Sequence, residues 1–465
     1  MMSKIMSGLI AVTAIGICFG ASGADVSVDW NTVVGKVKPV NGVGQPPLKG
    51  NAGYSMFQYL KKAGIPYSRL HDVGGPYGRN IFVDIPNLFR DFDADETKPE
   101  NYDFTFTDKL MEALVAHGVE PFFRLGVTIE NACRYKAYRT YPPKDFAKWA
   151  RICEHVIRHY TEGWANGYKM KIEYWEIWNE PENHPVPELN PMFRAPFSEY
   201  IRLYGVTAPH LKAKFPHLKI GGPAIAYDLA WTDKFLAQIN APLDFFSWHC
   251  YSHSIEKMLE RSGAVRALLD KYGFKATESI LNEWNYVLGW TGDEIVYSHD
   301  QRTKIKGAAF TAAAMCACQY SSVDMLMYYD ARPSIWNGMF DSTVVGRVLK
   351  GYYPFPMFDT LYRLGTCVGV SEIEDGGYAC AARNEDEAAI LATHFKDDDE
   401  AEAKNFSIDI AGFGTDSGTD VEIYLLDGTH DNTLVGKATY YGNRFSLKLD
   451  MPNFTCFLIK LKKTA

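Results

Sequence analysis

Apolar segments that end in polar residues alternate with amphipathic helical segments between residues 35 and 350. The apolar segments predict strands at 35–42, 67–73, 120–127, 172–180, 218–225, 244–252, 279–286 and 324–332. Because strands that alternate with helices form a parallel sheet, eight such units in about 300 residues predict a (β/α)8 barrel, an α/β fold of the TIM type. A doubly wound sheet is the alternative, but it requires a glycine-rich phosphate turn after an early strand, and the sequence has none.

The hydrophobic pattern changes after about residue 365. Segments such as "VEIYLLDG" and "RFSLKLD" alternate apolar and polar residues with a period of two, which is typical of half-buried strands. Turn-rich segments such as "KDDDEAEAK" separate them. We therefore predict a (β/α)8 barrel domain at residues 35–364 and a C-terminal antiparallel β-sandwich domain at residues 365–465. Residues 24–34 are a lead-in strand and a candidate additional strand of the sandwich.

Residues 1–23 have the pattern of a secretory signal peptide. Lys4 precedes an apolar segment, and small residues follow at positions 21–23, where cleavage is expected. The apolar segment is too short for a comfortable transmembrane helix, so no membrane insertion is expected after cleavage. A lipoprotein signal at Cys18 is the alternative, although Ile17 is a poor match to the small residue expected before it. We expect an exported protein, either periplasmic or secreted.

Charge and cysteine content exclude several classes of partner. The net charge is −8 and the sequence has no basic stripe, so we expect no nucleic-acid partner. The cysteines are scattered without the spacing of metal ligands, and they are interpreted mainly as small buried residues. A disulfide between Cys367 and Cys380 is left open. No metal or organic cofactor is expected. The 14% aromatic content suits either a sugar-binding cleft or a packed core.

Several predicted strands end in polar side chains at points where a purely structural strand would stop. They are Arg69, His71 and Asp72 on strand 2, Asn179 and Glu180 on strand 4, His249 and Tyr251 on strand 6, Asn282 and Glu283 on strand 7, and Asp330 and Arg332 on strand 8. The chemistry of a (β/α)8 barrel occurs at the C-terminal ends of its strands. We therefore expect Glu180 and Glu283 to face each other across the barrel mouth.

Two facing carboxyl groups are what cleavage of a glycosidic bond requires. One of them, held protonated, donates a proton to the leaving oxygen, and the other attacks the anomeric carbon or activates a water molecule. A single glutamate at a strand end is more often a surface charge or an ion-pair partner. Here each glutamate follows an asparagine in a tryptophan-rich strand, and this pairing favours chemistry over either structural role.

The segments "EIWNEPE" and "ILNEWN" resemble the acid/base and nucleophile strands of the clan A retaining glycoside hydrolases. Together with "SRLHDVG", "NYDFTFTDKL" and "DFFSWHCYS", they most resemble glycoside hydrolase family 39, which contains β-xylosidases and α-L-iduronidases, over about residues 35–465. The resemblance implies an exo-acting, retaining glycosidase of oligosaccharides or glycosides, similar to a β-xylosidase. The alternatives are an arabinofuranosidase or endo-glycosidase of the same clan, or a non-catalytic carbohydrate-binding protein.

The same resemblance assigns roles to individual residues. Glu180 matches the acid/base and Glu283 the nucleophile, while Asn179 matches the residue that binds the sugar 2-hydroxyl. His249 and Tyr251 match positions that contact the nucleophile and the sugar, and His71 matches a substrate contact. Arg69 and Tyr251 would lower the pKa of the nucleophile.

Several of these candidates also have structural interpretations. Arg69 could pair with a strand-end carboxylate, His249 could be a core histidine, and Trp336 could pack in the barrel instead of stacking on a sugar. Asp330 and Arg332 could pair with each other. If they bind substrate instead, we expect Asp330 to accept hydroxyls of a neutral sugar, in preference to an acidic sugar held by Arg332.

Overall fold

The computed structural model describes residues 25–47, 56–73, 83–128, 140–371 and 373–464. These residues form two compact units, one of residues 38–359 and the other of residues 25–37 together with 360–464. The predicted signal peptide at residues 1–23 lies outside the described residues. Among the residues that the structure describes, no helix combines the length and the apolar character needed to cross a membrane.

The larger unit is a closed barrel of eight parallel strands. The first strand among the described residues, β1 (Val26–Lys36), belongs to the smaller unit. The barrel strands are β2 (Gly42–Gly44), β3 (Tyr67–Leu70), β4 (Glu120–Leu125), β5 (Tyr174–Ile177), β6 (Lys219–Ile225), β7 (Phe245–Tyr251), β8 (Glu278–Asn285) and β9 (Met325–Tyr328). Each strand pairs in parallel with the next, and β2 pairs with β9. The predicted barrel is confirmed.

The helices lie mostly between successive barrel strands. They are α1 (Phe57–Lys62), α2 (Ile85–Leu88), α3 (Thr105–Ala116), α4 (Phe146–Thr161), α5 (Phe197–Lys214), α6 (Leu229–Gln238), α7 (Ile255–Lys271), α8 (Gly292–Arg302), α9 (Ile305–Gln319) and α10 (Pro354–Leu364). Side chains cap several N-termini, as where Ser254 accepts a hydrogen bond from the backbone N–H of Lys257.

The first barrel strand was predicted at 35–42, and this position is wrong. Residues 35 and 36 end β1, and the barrel strand follows at Gly42–Gly44. This strand contributes a single apolar side chain, so it has no hydrophobic pattern to detect. A Cβ atom at Gly42 would lie 2.7 Å from the carbonyl oxygen of Leu326, so the close approach of β2 to β9 requires glycine there.

The barrel interior has an apolar layer with a polar layer next to it. Phe122, Tyr174, Phe245, Ile280, Met325 and Met327 form the apolar layer. Because side chains of a strand point to the same side every second residue, the next inward positions after Tyr174 and Ile280 are Glu176 and Asn282. These polar side chains are fully buried. They lie between the apolar layer and the C-terminal strand ends, where they can support a site.

The smaller unit is a nine-stranded, mostly antiparallel sheet. Its other strands are β10 (Thr366–Val370), β11 (Gly377–Arg383), β12 (Glu387–His394), β13 (Lys404–Ala411), β14 (Thr419–Leu426), β15 (Asp431–Tyr440), β16 (Arg444–Met451) and β17 (Thr455–Lys463). The strand order is β15-β14-β17-β12-β11-β10-β1-β13-β16, and only the pair of β1 and β13 is parallel. One apolar cluster joins Val421 of β14 and Leu447 of β16, so the sheet folds over itself as a sandwich.

The described cysteines form no disulfide with one another. Cys367 lies opposite Ala382 in the pairing of β10 with β11, and Cys380 lies opposite Leu391 in the next pairing. The two sulfurs are therefore not placed to bond, and the Cys367–Cys380 disulfide does not form.

Candidate active site

The two predicted carboxylates lie at the C-terminal ends of barrel strands. Glu180 follows β5, and Glu283 lies near the end of β8. The backbone N–H of Trp178 donates to the carbonyl of Leu125, and that of Glu180 donates to the carbonyl of Ala224. Trp178 and Glu180 have φ values of 73° and 45°, a left-handed backbone that is uncommon for residues other than glycine. Such conformations concentrate at functional sites, because the surroundings must stabilise them.

Glu283 receives a strong donor on each carboxylate oxygen. The Arg69 guanidinium donates to Oε1 at 2.6 Å, and the Tyr251 hydroxyl donates to Oε2 at 2.9 Å. Burial raises the pKa of Glu283 above its ordinary value, and the charge of Arg69 opposes that rise. Arg69 therefore acts in the predicted direction, although burial outweighs it.

Arg69 lies beneath the cavity and connects three strand ends. It also donates to Glu176 Oε2 at 2.7 Å and to Asn179 Oδ1 at 2.6 Å. The other oxygen of Glu176 accepts from Asn282 Nδ2 at 2.6 Å. Removing one member of such a buried set leaves the others without partners, so these contacts hold the guanidinium in place. Glu176 was not predicted as a site residue, although a charged residue inside an apolar strand was the available signal.

Glu180 has a less charged environment. Its Oε2 accepts from Asn183 Nδ2 at 2.5 Å, and His249 Nδ1 lies 2.7 Å from Oε1. Burial raises the pKa of Glu180 to about 7, against the opposing effect of the Asn183 hydrogen bond. Burial also lowers the pKa of His249 to about 4, so this imidazole is neutral near pH 7. Glu180 is therefore the carboxyl group better able to keep a proton.

His249 lies between the two carboxylates. Its Nδ1 is also 3.5 Å from Glu283 Oε2, and one oxygen of Glu180, one of Glu283 and a ring nitrogen lie within 4.8 Å of one another. Three such groups could in principle hold a metal ion. Arg69 already donates to Glu283, and Asn183 already donates to Glu180, so a second cation would have to compete with a fixed guanidinium. The donor set fits a carboxyl pair better than a metal centre.

A cavity of about 560 Å³ opens over these groups. Its lining contains His71, Asp72, Asn179, Glu180, Asn183, Met192, Ala226, Tyr227, Cys250, Tyr251, Arg261, Glu283, Trp290, Tyr329 and Trp336. Asn183, Trp290 and Tyr329 were not predicted as site residues. Asn183 is three residues after Glu180, on the turn that Pro181 begins, and that spacing was its only signal.

His71 and Trp336, both predicted as substrate contacts, are among the residues that line the cavity. Burial and the nearby Arg124 charge lower the pKa of His71, whose Nδ1 accepts from Arg124 Nε at 3.0 Å. The other ring nitrogen lies 3.1 Å from Asp72 Oδ1. The Arg302 guanidinium lies over the Trp336 ring, 4.4 Å from its centroid, so only the opposite face of that ring can meet a sugar.

Asp330 and Arg332 pair with each other and lie outside the cavity lining. Arg332 Nε donates to Asp330 Oδ2 at 2.7 Å, Nη1 donates to the Asp72 carbonyl at 2.8 Å, and Nη2 donates to the Tyr329 hydroxyl at 3.0 Å. The Tyr329 hydroxyl in turn donates to the Asp72 carboxylate. The Nε, Nη1 and Nη2 groups of Arg332 therefore all donate to residues at the strand ends. This arrangement agrees with the alternative in which Asp330 and Arg332 pair with each other.

Comparison with known proteins identifies the family of this chain. The family model "Glycosyl hydrolases family 39" matches residues 54–291. The chain is 28% identical over 236 residues to a β-xylosidase of Geobacillus stearothermophilus, with 45% of this chain and 46% of that protein covered. The chain thus spans about half the length of this curated relative.

Solved structures share the fold. A glucosidase of Croceicoccus marinus superposes with a TM-score of 0.77 at 20% identity, covering 95% of this chain and 99% of that one. A monomeric β-xylosidase of Caulobacter crescentus superposes with a TM-score of 0.69 at 17% identity, also covering 95% and 99%. At such identities the likeness concerns the fold, whereas the family match is to the sequence and includes both carboxylate segments. This chain belongs to family 39 of the glycosyl hydrolases.

Proposed function

We propose that the protein is a retaining, exo-acting glycosidase that removes a terminal xylose unit from oligosaccharides or glycosides. The observation that carries the proposal is the carboxyl pair itself. An oxygen of Glu180 and an oxygen of Glu283 lie within 4.8 Å of each other. Retaining enzymes hold their carboxyl groups about 5–5.5 Å apart, whereas inverting enzymes need about 6.5–9.5 Å to admit a water molecule.

The first chemical step would form a glycosyl-enzyme. Glu180 gives its proton to the glycosidic oxygen while the Glu283 carboxylate attacks the anomeric carbon. The bond from that carbon to the leaving oxygen breaks, and an ester bond to Glu283 forms. The donors on both Glu283 oxygens favour its ionised form and oppose the effect of its burial, whereas Glu180 is buried with only a neutral amide donor, which favours its protonated form.

The second step would reverse these roles. The Glu180 carboxylate takes a proton from water, and the water oxygen attacks the anomeric carbon. The ester bond breaks, Glu283 is released as a carboxylate and Glu180 is again protonated. One water molecule is consumed, and two inversions leave the sugar in its original configuration.

Asn179 is placed to support both steps. Arg69 Nη2 holds its side-chain oxygen at 2.6 Å, which turns the amide nitrogen away from the guanidinium. That nitrogen can donate to a sugar hydroxyl beside Glu283. A hydrogen bond of this kind strengthens as charge develops on the sugar in the transition state.

Xylose is proposed because the curated relative and one structural neighbour are described as β-xylosidases. Glucose is the second candidate, because the Croceicoccus marinus neighbour is described as a glucosidase. An acidic sugar is disfavoured, because the Arg332 guanidinium already donates to Asp330, to the Asp72 carbonyl and to the Tyr329 hydroxyl and is not directed at a sugar carboxylate. Among the described residues that line the cavity, Arg261 is the only arginine or lysine, and it donates to the carbonyl of Ala226 at 3.2 Å.

The test is a panel of p-nitrophenyl β-xyloside, β-glucoside, α-L-arabinofuranoside and a uronide, with Glu283→Ala as the control for contaminating activity. We expect the highest kcat/KM for the xyloside. Proton NMR of the first sugar released should show the β anomer. Release of the α anomer from a β-xyloside would refute retention. If the uronide is the preferred substrate and Arg261→Ala abolishes its cleavage, the proposal of a neutral sugar substrate is refuted. Release from internal positions of xylan would instead indicate endo action.

Export is proposed from the pattern of residues 1–23. A signal peptide would be removed in the mature protein. Mass spectrometry of the protein from its native host should find an N-terminus near residue 24 in a periplasmic or culture fraction. A full-length chain confined to the cytoplasm would contradict the proposal.

A further inference from the structure

A buried arginine at the end of α8 packs against the back of Trp336. The guanidinium of Arg302 lies 4.4 Å from the centroid of the indole ring. Arg302 is only 1% exposed, and of these two side chains only Trp336 lines the cavity. The cation therefore covers the face of the ring that points away from the cavity. A cation–π contact is stronger when it is shielded from water, so this one can fix the plane of the ring.

Arg302 is buried although its donors are only partly satisfied. Its Nε donates to the backbone carbonyl of Tyr286 at 2.9 Å, and its Nη1 donates to His299 Nδ1 at 2.5 Å. Its Nη2 is buried and has no hydrogen-bond partner among the described residues. Burial lowers the pKa of Arg302 below its ordinary value. A buried cation with so few acceptors is costly to the fold, which favours a role other than stability.

Further contacts fix the rest of Trp336. The His299 ring meets the indole edge-on, with centroids 5.1 Å apart and an interplanar angle of 85°. Burial and the Arg302 charge lower the pKa of His299, so the imidazole is a neutral acceptor for Arg302, and it also forms a hydrogen bond with the backbone of Ile335. Asn285 Nδ2 donates to the Trp336 carbonyl at 2.9 Å. The back face, one edge and the backbone of Trp336 are thus held, while its front face is left for a ligand.

The free face of Trp336 lies beside the nucleophile. Tyr251, whose hydroxyl donates to Glu283, packs against the same indole ring with centroids 5.7 Å apart and an interplanar angle of 60°. A sugar that presents its anomeric carbon to Glu283 would therefore meet this ring. A ring that is already fixed loses little conformational freedom when the sugar binds, and this raises the affinity.

We propose that Arg302 is a positioning residue for the glycosidase reaction and that it acts through Trp336. The buried guanidinium holds the indole ring in the orientation in which its free face meets the sugar. Arg302 touches neither the cavity nor the two carboxyl groups, so it takes no part in the chemical steps. The inference rests on the proposed glycosidase function.

The test is the effect of Arg302→Met on hydrolysis of methyl β-xyloside, whose slow chemistry brings KM close to the dissociation constant. Methionine fills similar space without the charge. A fixed ring contacts the substrate and the transition state alike, so its loss should raise KM and change kcat little. We expect KM to rise by about threefold to tenfold, the range for one stacking contact. Arg302→Lys, which keeps a cation beside the ring, should restore most of the affinity.

A double-mutant cycle separates positioning from a purely structural role. KM should already be raised in Trp336→Ala, and adding Arg302→Met should raise it no further. A structural role would instead lower activity by the same factor in both backgrounds. That result, or an unchanged KM in folded Arg302→Met, would overturn the inference. If Arg302→Met does not fold, Arg302→Gln repeats the cycle, because glutamine removes the charge and keeps a donor.

Arg266→Met is the matched control. Arg266 is a half-buried arginine on α7 that also donates to backbone carbonyls, those of Phe274 at 2.6 Å and Thr277 at 2.8 Å. Its loss should leave KM unchanged. Thermal unfolding of each variant shows whether it is folded.

A spectroscopic measurement separates this inference from the proposed function. In protein labelled with fluorotryptophan, the fluorine resonance of Trp336 is identified by its absence in Trp336→Phe. It should broaden in Arg302→Met, because the ring then exchanges between orientations, and stay sharp in Arg266→Met. If the wild-type protein cleaves no glycoside, the proposed function fails, while the fluorine spectrum still decides whether Arg302 holds Trp336. A resonance as sharp in Arg302→Met as in the wild type would overturn the inference by itself.

Discussion

The hydrogen bond from Asn183 to Glu180 should set the alkaline limit of activity. Asn183 Nδ2 donates to Glu180 Oε2 at 2.5 Å, and a neutral amide donor stabilises the charged carboxylate more than the protonated acid. It therefore lowers the pKa of Glu180 against the effect of burial. Asn183→Ala removes this donor, so the pKa of the acid should rise.

The magnitude follows from the energy of such a bond. A hydrogen bond to a charged group contributes about 1.5–3 kcal/mol, and a shift of one pKa unit corresponds to about 1.4 kcal/mol. Asn183 is half-buried, so water can replace part of the lost interaction. We therefore expect the pKa of Glu180 to rise by about one unit from its value of about 7.

The assay is the pH dependence of kcat/KM on methyl β-xyloside, whose poor leaving group requires the acid. The descending alkaline limb reports the pKa of the acid in the free enzyme. Because the variant acid stays protonated to higher pH, the limb should move upward by about one unit. Asn101→Ala, which removes another half-buried asparagine that donates to a backbone carbonyl, should leave the profile unchanged.

A limb that stays in place or moves to lower pH would refute this reasoning. Glu180→Gln identifies the titrating group, because it should eliminate the limb altogether. If the limb persists in Glu180→Gln, the titrating acid is another residue. Glu182, whose pKa burial also raises to about 7, is then the first group to test.

Three further variants test the site. Glu283→Ala should reduce turnover of β-xylosides below about 1% of the wild-type rate, because losing a nucleophile removes the covalent route. Added azide should restore turnover and form the α-glycosyl azide. A residual rate above a few per cent without azide would exclude Glu283 as the nucleophile. Glu180→Gln should slow methyl β-xyloside hydrolysis by about 10²–10⁴-fold and that of activated aryl xylosides far less; equal losses would contradict the acid role. Arg332→Ala should lower the free energy of unfolding, measured by urea denaturation, by about 3–5 kcal/mol, because it leaves Asp330 buried without its ion-pair partner. The preference for xyloside over uronide substrates should not change in this variant. A loss of uronide cleavage would restore a substrate role for Arg332.

The barrel was predictable because its signal is local and repeated. Each strand, such as 120–127 or 279–286, can be recognised from its own short apolar segment. Because such segments alternate with helical segments, the rule that parallel strands alternate with helices then gives the topology. The strand Gly42–Gly44 escaped detection because its role is close packing against β9, and glycine carries no hydrophobic signal. The sandwich was predictable for the same reason as the barrel, since its strands alternate at period two.

Part of the candidate site was predictable from strand ends alone. Because all C-terminal ends of a parallel barrel meet at one face, any polar residue at such an end is brought near the others, whatever the detailed packing. This rule placed Glu180, Glu283 and Tyr251 together, and the structure brings them to one cavity.

Only the tertiary structure decided how each side chain is used. Arg69 contacts Glu176, Asn179 and Glu283, which lie 107, 110 and 214 residues away from it in the sequence, and such contacts have no local pattern. Arg332 turns toward the strand ends because Asp330, Tyr329 and the Asp72 carbonyl accept its donors there. Burial, which sets the pKa of Glu180 and shields the contact of Arg302 with Trp336 from water, depends on how all the loops pack around the barrel mouth. Sequence thus determines which chemical groups reach the mouth of the barrel, and packing determines which of them remain available to a substrate.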